Sequence, residues 1–165
     1  MSNVVIRPIE PEDNLLLAAL IRKVFREYGI DRPGTVYTDP TTDALYQLFE
    51  TPGSVCWVAV DDGIPVGSCG VYPTEGLPFG CAELVKFYLS SSYRGKGLGK
   101  RLLQQCFDSA RALGYDQLYL ESFPELATAV GMYEKAGFRS VSHALGNSGH
   151  TACTIWMVKM LVEIE

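Results

Sequence analysis

The sequence predicts a mixed fold of α-helices and a largely antiparallel β-sheet, and three features point to it. Two β-rich runs, Val55 to Val60 and Pro65 to Tyr72, are separated by Asp61-Asp62-Gly63, whose Asp-Gly step is a hairpin turn signal. Residues 83 to 123 read as strand, glycine loop, amphipathic helix and strand, a crossover unit expected to be right-handed. Two further runs, Phe138 to Ser142 and Thr154 to Leu161, close the chain as an antiparallel pair.

Each element has a local cause. Val4-Val5-Ile6, ahead of Arg7-Pro8, forms a short first strand. Pro11-Glu12-Asp13-Asn14 then supplies helix-start chemistry before the apolar positions Leu17, Leu20, Ile21, Val24 and Tyr28, and Gly29 ends that helix. Residues 30 to 43 hold Pro33, Gly34 and Pro40 among polar residues, and they lead as a loop to a short helix from Asp43 to Glu50, stopped by Pro52-Gly53. That stretch is a candidate substrate lid. After the loop from Pro73 to Gly80, Cys81 to Leu89 is a longer strand that runs into the glycine loop. Leu98, Leu102, Cys106, Ala110 and Leu113 recur at helical spacing up to Gly114. Gln117 to Phe123 is the next strand, and a second helix from about Glu125 to Ala136 ends at Gly137. The segment from His143 to Thr151, rich in Gly, Ser and Asn, reads as a mobile loop.

The 165 residues suit one domain, 1–165, long enough to bury roughly two thirds of the surface of the unfolded chain. The longest apolar stretch, Leu15 to Ile21, falls far short of the ~20 residues of a membrane span, and the N-terminus has no secretion signal, so the cytoplasm is the expected compartment. Five cysteines, widely spaced and without a C-x-x-C pair, indicate neither a disulfide framework nor a zinc site; no metal is expected. The 14 basic and 19 acidic residues give a net charge of −5, which argues against a broad nucleic-acid surface and favours a cationic acceptor.

Against that acidic background, Arg94, Lys96, Lys100 and Arg101 cluster about Gly95, Gly97 and Gly99 at the start of a helix. Alternating glycines let successive N–H groups point inward, and the first helical turn adds unpaired N–H groups and a positive dipole end. A phosphate or pyrophosphate is the expected guest. A P-loop is excluded because Arg94 stands five residues before Gly99 and Arg101 replaces the magnesium-binding hydroxyl. A dinucleotide fingerprint fits poorly, because Gly95-Lys96-Gly97-Leu98-Gly99 is G-x-G-x-G rather than G-x-G-x-x-G.

What matches is R-x-x-G-x-G at Arg94, Gly97 and Gly99, together with Ala129-x-x-x-Tyr133-Glu134-Lys135-Ala136-Gly137-Phe138, a helix ending in Y-E-K-x-G-F. In these two motifs, which span about residues 83 to 140, the chain resembles the GNAT superfamily of N-acetyltransferases. The resemblance implies a central, mixed but mostly antiparallel sheet of about seven strands with helices on both faces, its fourth and fifth strands splayed into a coenzyme cleft. It implies acetyl-coenzyme A as cosubstrate, with the pyrophosphate on residues 94 to 100 (Arg94, Gly95, Lys96, Gly97, Leu98, Gly99, Lys100) and the pantetheine arm along Phe87, Tyr88 and Leu89. Many members carry Asn three residues before the alanine, where this chain has Leu126, so one side-chain hydrogen bond to the pantetheine arm drops out of the expectation.

Acetyl transfer to an amine needs a neutral nucleophile, a polarised thioester carbonyl and a proton for the departing thiolate. The resemblance puts Tyr133 beside the thioester sulfur as the candidate acid and a backbone N–H near Leu89 on the carbonyl oxygen. Glu83 is the candidate base: it begins an apolar strand, and alternation puts it on one face with Val85, Phe87 and Leu89. A salt bridge or a solvated strand end is the alternative role. Glu121 on the next strand and His150 in the late loop are candidates for binding the acceptor. The leading reading is direct attack in a ternary complex on behalf of a small amine or amino acid, with a peptide as the larger option; the alternative is a non-catalytic acyl-coenzyme A sensor. Open strand edges leave room for a homodimer.

Overall fold

The computed structural model describes residues 3–162. Seven strands, β1 (Val4–Pro8), β2 (Val55–Asp61), β3 (Ile64–Tyr72), β4 (Cys81–Leu89), β5 (Gln117–Ser122), β6 (Arg139–Val141) and β7 (Ile155–Met160), form one sheet in the order β1-β2-β3-β4-β5-β7-β6. Every neighbouring pair is antiparallel except β4 and β5. The β2–β3 hairpin turns at Asp62 and Gly63, both at positive φ (48° and 79°), the conformation that a two-residue turn needs to match strand twist.

The sheet carries an apolar layer on each face. On one side α1 (Asn14–Glu27) packs Leu17, Ile21 and Phe25 against Cys56, Val58 and Val60 of β2. On the other, α3 (Leu98–Ala112) packs Leu102, Cys106 and Ala110 against Ala59, Cys69 and Leu118, and α4 (Ala127–Lys135) adds Tyr133. All five cysteines are free and buried, as small apolar side chains. Among the described residues no helix is long and apolar enough to cross a membrane.

Three expected elements are redrawn. The helix expected from Asp43 to Glu50 is a 3-10 turn, Pro40–Asp43, followed by the single-turn α2 (Leu45–Leu48). Asp39 moves the start forward by accepting a hydrogen bond from the Thr41 N–H at 2.9 Å, with Pro40 in the first helical position. The preceding segment, expected as plain loop, holds a second 3-10 turn, Val36–Thr38, capped by the Thr35 hydroxyl. The late loop, expected to be mobile, is tied at several points. The Asn147 N–H donates to the Glu75 carbonyl at 2.7 Å, and the Leu145 N–H donates to the Tyr119 hydroxyl at 3.3 Å.

The feature that positions the site is in β4. It pairs with β5 only from Cys81 to Glu83, opposite Gln117 to Tyr119, and then the two strands part while β5 continues beside β7. Beyond the parting point β4 contains a β-bulge. Ser68 pairs with Tyr88 and Gly70 with Val85, so Lys86 and Phe87 together face the single residue Cys69. Lys86 takes a left-handed conformation at φ 57°, and the wholly buried Ser68 hydroxyl donates to its carbonyl at 2.6 Å. The extra residue overturns the expected alternation. Glu83 and Val85 face the α1 side, as predicted together, but Phe87 and Leu89 pack with the α3 layer while Tyr88 joins Val85 on the α1 side.

Candidate functional site

The parted strands open a cleft of about 300 Å³ between β4, the glycine loop and α4. Phe87, Tyr88, Leu89, Leu126, Ala129 and Met132 give it apolar walls, and Gly95, Gly97, Gly99 and Lys100 form its end. Gly95 and Gly97 sit at φ 74° and 86°, a left-handed geometry open to glycine at little cost, and Gly97 begins α3. Among the described residues none of the backbone N–H groups from Gly95 to Lys100 donates to an internal acceptor. Six such groups at a helix start make an anion site by geometry and dipole together.

The side chains of this loop divide. Lys100 lines the cleft. Leu98 is buried in the α3 core, so that only its backbone can serve the site. Lys96 is exposed and lies over the Tyr93 ring at 6.0 Å. Arg94, expected as phosphate charge, also lines the cleft, and it is engaged internally as well: its Nε and Nη2 donate to the Leu89 carbonyl at 3.1 and 2.9 Å, its Nη1 pairs with Glu27 at 3.1 Å, and it covers the Tyr28 ring. It braces the glycine loop against the end of β4 and α1.

At the other end the cleft shares Phe87, Tyr88 and Leu126 with a chamber of about 50 Å³, and this chamber brings Glu83, Glu121, Tyr133 and His150 together with Lys86 and Cys153. Glu83, Val85, Lys86 and His150 are in turn shared with an outer cavity of about 320 Å³, walled also by Asp39, Tyr72, Thr74 and Ser148. Through these shared walls the three spaces adjoin in a row, a passage laid out from the glycine loop past the chamber to the far side of β4.

The electrostatics separate the groups in the chamber. Glu83 is only 4% exposed; burial pushes its carboxyl up to about 7, against a lowering hydrogen bond from the Thr74 hydroxyl at 2.6 Å, with Glu121 raising it and Lys86 lowering it. Tyr133 is buried between the rings of Phe87 and Phe138, each 5.8 Å away, and burial holds its phenol far above the usual tyrosine range, so it keeps its proton. Burial likewise pushes the Cys153 thiol up to about 12, which leaves it a poor nucleophile. Asp39 is raised by burial, but hydrogen bonds from His150 and Thr41 and the Lys86 charge outweigh that and keep it below the usual carboxylate range. His150 Nε2 lies 2.8 Å from Asp39 Oδ2. Glu121 accepts from the Tyr119 hydroxyl at 2.7 Å and from the Ser148 hydroxyl. Among the described residues no group of His, Cys, Asp and Glu is placed to hold a metal ion.

Lys86 and Asp39 escape a reading of the sequence. Asp39 reaches the site only through the fold, from a segment more than 100 residues away from His150. Lys86 leaves one signal, a lysine in the middle of the apolar run Leu84-Val85-Lys86-Phe87, where a strand buried on both faces should have none. His143, by contrast, is exposed, and its ring Nδ1 lies 3.1 Å from the neighbouring Ser142 hydroxyl.

Known proteins resemble this chain in sequence and in fold. The model of the acetyltransferase (GNAT) family matches residues 16–138. YjgM of Escherichia coli (strain K12), described as an uncharacterized N-acetyltransferase, is 37% identical over 158 residues, 95% of either chain. A GNAT-family acetyltransferase from Staphylococcus aureus Mu50 superposes with a TM-score of 0.84 at 20% identity, covering 96% of this chain and 99% of its own. The Salmonella typhimurium protein yncA, solved with its cofactor acetyl-CoA, superposes with a TM-score of 0.75 at 20% identity, covering 99% and 97%.

The raised Glu83 carboxyl has a consequence for stability. The folded chain binds this proton more tightly than the unfolded chain does, so the ionised form costs stability above pH 7, on the order of 3 kcal/mol, and the cost fades as pH falls toward 4.5. Glu83→Gln keeps the acceptor for Thr74 and removes the charge. Urea unfolding is expected to find the variant more stable than the parent at pH 8 and nearly equal to it at about pH 4, below the unfolded carboxyl's pKa; equal stability at both would mean that Glu83 is not held near 7.

Proposed function

We propose, from the premise that the chain belongs to the acetyltransferase (GNAT) family and is an acetyl-CoA-dependent N-acetyltransferase, that it acetylates a small primary amine by direct attack, without an acyl-enzyme. The observation that carries this reading is the row of adjoining spaces from the glycine loop to a buried carboxylate, Glu83, that burial pushes up to about 7. The coenzyme supplies an activated acyl group as a thioester. The cleft fits it: N–H groups from Gly95 to Lys100 suit a pyrophosphate, and the apolar walls from Leu89 to Met132 suit a pantetheine arm.

Glu83 has the position and the affinity of a general base. An alkyl ammonium titrates near ~10, and a carboxylate near 7 takes its proton more readily than one near 4. The bulge turns Phe87 and Leu89 toward the cleft wall, which leaves the backbone edge of β4, unpaired with β5 beyond Glu83, available to the pantetheine arm and the acyl carbonyl. Tyr133 holds a proton at the inner end of the passage and delivers it to the sulfur as the carbon–sulfur bond breaks and the carbon–nitrogen bond forms. No nucleophilic residue is called for, and the high Cys153 thiol fits that economy.

Two measurements test the assignment of roles. With a competent amine, kcat/KM of the parent is expected to rise with pH and level off above about 7, while Glu83→Gln loses roughly 100-fold or more and that inflection. Tyr133→Phe is expected to lower kcat by roughly 10- to 100-fold while calorimetric affinity for acetyl-CoA stays within about twofold. A flat profile in the parent would remove Glu83 as the base, and parent-like turnover in the phenylalanine variant would remove Tyr133 as the acid.

A further inference from the structure

The charged groups of the chamber and outer cavity fall into two sets. Each chamber carboxylate has partners: Glu83 the Thr74 hydroxyl, Glu121 the hydroxyls of Tyr119 and Ser148, and Asp39 both His150 and Thr41. Glu75, at the outer rim, is exposed. Lys86 is the exception. It is 6% exposed, yet among the described residues its ammonium has no ion-pair partner within 4.0 Å and no hydrogen-bond acceptor. Among those residues no fully enclosed side-chain polar atom lacks a partner, so its Nζ must retain access to the cavities that it lines.

A buried, unpaired ammonium is costly, and Lys86 adds the cost of a left-handed backbone that any residue but glycine resists. The charges of Asp39 and Glu83 offset part of that cost, but burial outweighs them and neither carboxylate reaches the ammonium as an ion-pair partner. A ligand with a negative group can, and its place is fixed by two neighbours: Glu83 on the same strand, where the amine must arrive, and the cavity of about 320 Å³ beyond, open for a side chain. We propose that the acceptor is an amino acid, its carboxylate held by Lys86 while its amine faces Glu83. This rests on the acyl-transfer reading of the same chamber. It also corrects the bias that the acidic composition creates. The net charge of −5 favours a cationic acceptor, but among the described residues Glu83, Glu121 and Asp39 have hydrogen-bond partners and the Lys86 ammonium has none.

The test compares the L-amino acids with their decarboxylated amines and their amides, for example phenylalanine, phenethylamine and phenylalaninamide. Binding to the CoA-loaded protein is followed by calorimetry and turnover by thiol release from acetyl-CoA. In the parent at least one amino acid is expected to exceed its decarboxylated amine by about 100-fold, in affinity and in kcat/KM. In Lys86→Met, of similar length and shape, that ratio is expected to collapse toward one, mainly through KM. Lys86→Arg is expected to keep much of it, which separates charge from packing; circular dichroism and thermal melting check that both variants fold. Amines or amides that bind and react as well as the amino acids would overturn the proposal and leave the transferase intact. Lys86-dependent binding of amino acids without thiol release would uphold the carboxylate site at Lys86 and overturn the transferase reading, and with it the acceptor role. Binding of none of these compounds would overturn it.

Discussion

One extra residue in β4 sets the geometry on which the rest depends. Up to Glu83 the strand is an ordinary member of the sheet, bonded to β3 on one side and β5 on the other. Past that point it has left β5, and at Lys86 and Phe87 two residues stand where β3 offers one. A strand that alternates strictly would put Glu83, Phe87 and Leu89 on one face. The bulge breaks that rule and gives the face of α1 a carboxylate and an ammonium, and the face of α3 the apolar wall of a cleft. Ser68 holds the distorted backbone by its hydroxyl, and Arg94 holds the end of the strand by the Leu89 carbonyl, so both ends of the irregular stretch are anchored.

Around this backbone the protein distributes charge unevenly. Three carboxylates approach the passage, and their partners set their behaviour. Asp39 is held ionised by His150 and Thr41, whereas Glu83, buried and beside Glu121, with one hydroxyl as its hydrogen-bond donor, is lifted to about 7. The same burial that destabilises a charged Glu83 makes it a better proton acceptor, a trade of stability for chemistry that is common where acid–base work is done. Desolvation acts in the same sense on Tyr133, raising its phenol further above neutrality so that it keeps its proton.

Much of this architecture is legible in the sequence. Cys81 to Leu89 and the hairpin at Asp62-Gly63 follow from β-branched runs and turn residues, and the seven strands and the glycine-loop helix fall where periodicity puts them. The anion cradle is legible because glycine spacing is a backbone property, local to six residues. The bulge is not legible. It depends on how β3 and β4 register against each other, and register is a pairwise quantity that neither strand states alone. For that reason the strand position of Glu83 is legible while the placement of Lys86, three residues on, is not, and the ties of Arg94 to Leu89, Glu27 and Tyr28 likewise appear only in the fold. Asp39 is invisible for another reason: its tie to His150 joins the two ends of the chain in space.

In the proposed function the passage, from glycine cradle along the unpaired edge of β4 to the chamber, serves as a single binding site for one extended coenzyme. Titration of the isotope-labelled protein with coenzyme A, followed by backbone amide shifts, addresses that claim directly. The largest changes are expected at Gly95 to Lys100 and, in the same saturating step, at Phe87 to Leu89. Changes confined to the glycine loop, or occurring at the two segments with different affinities, would contradict a continuous site.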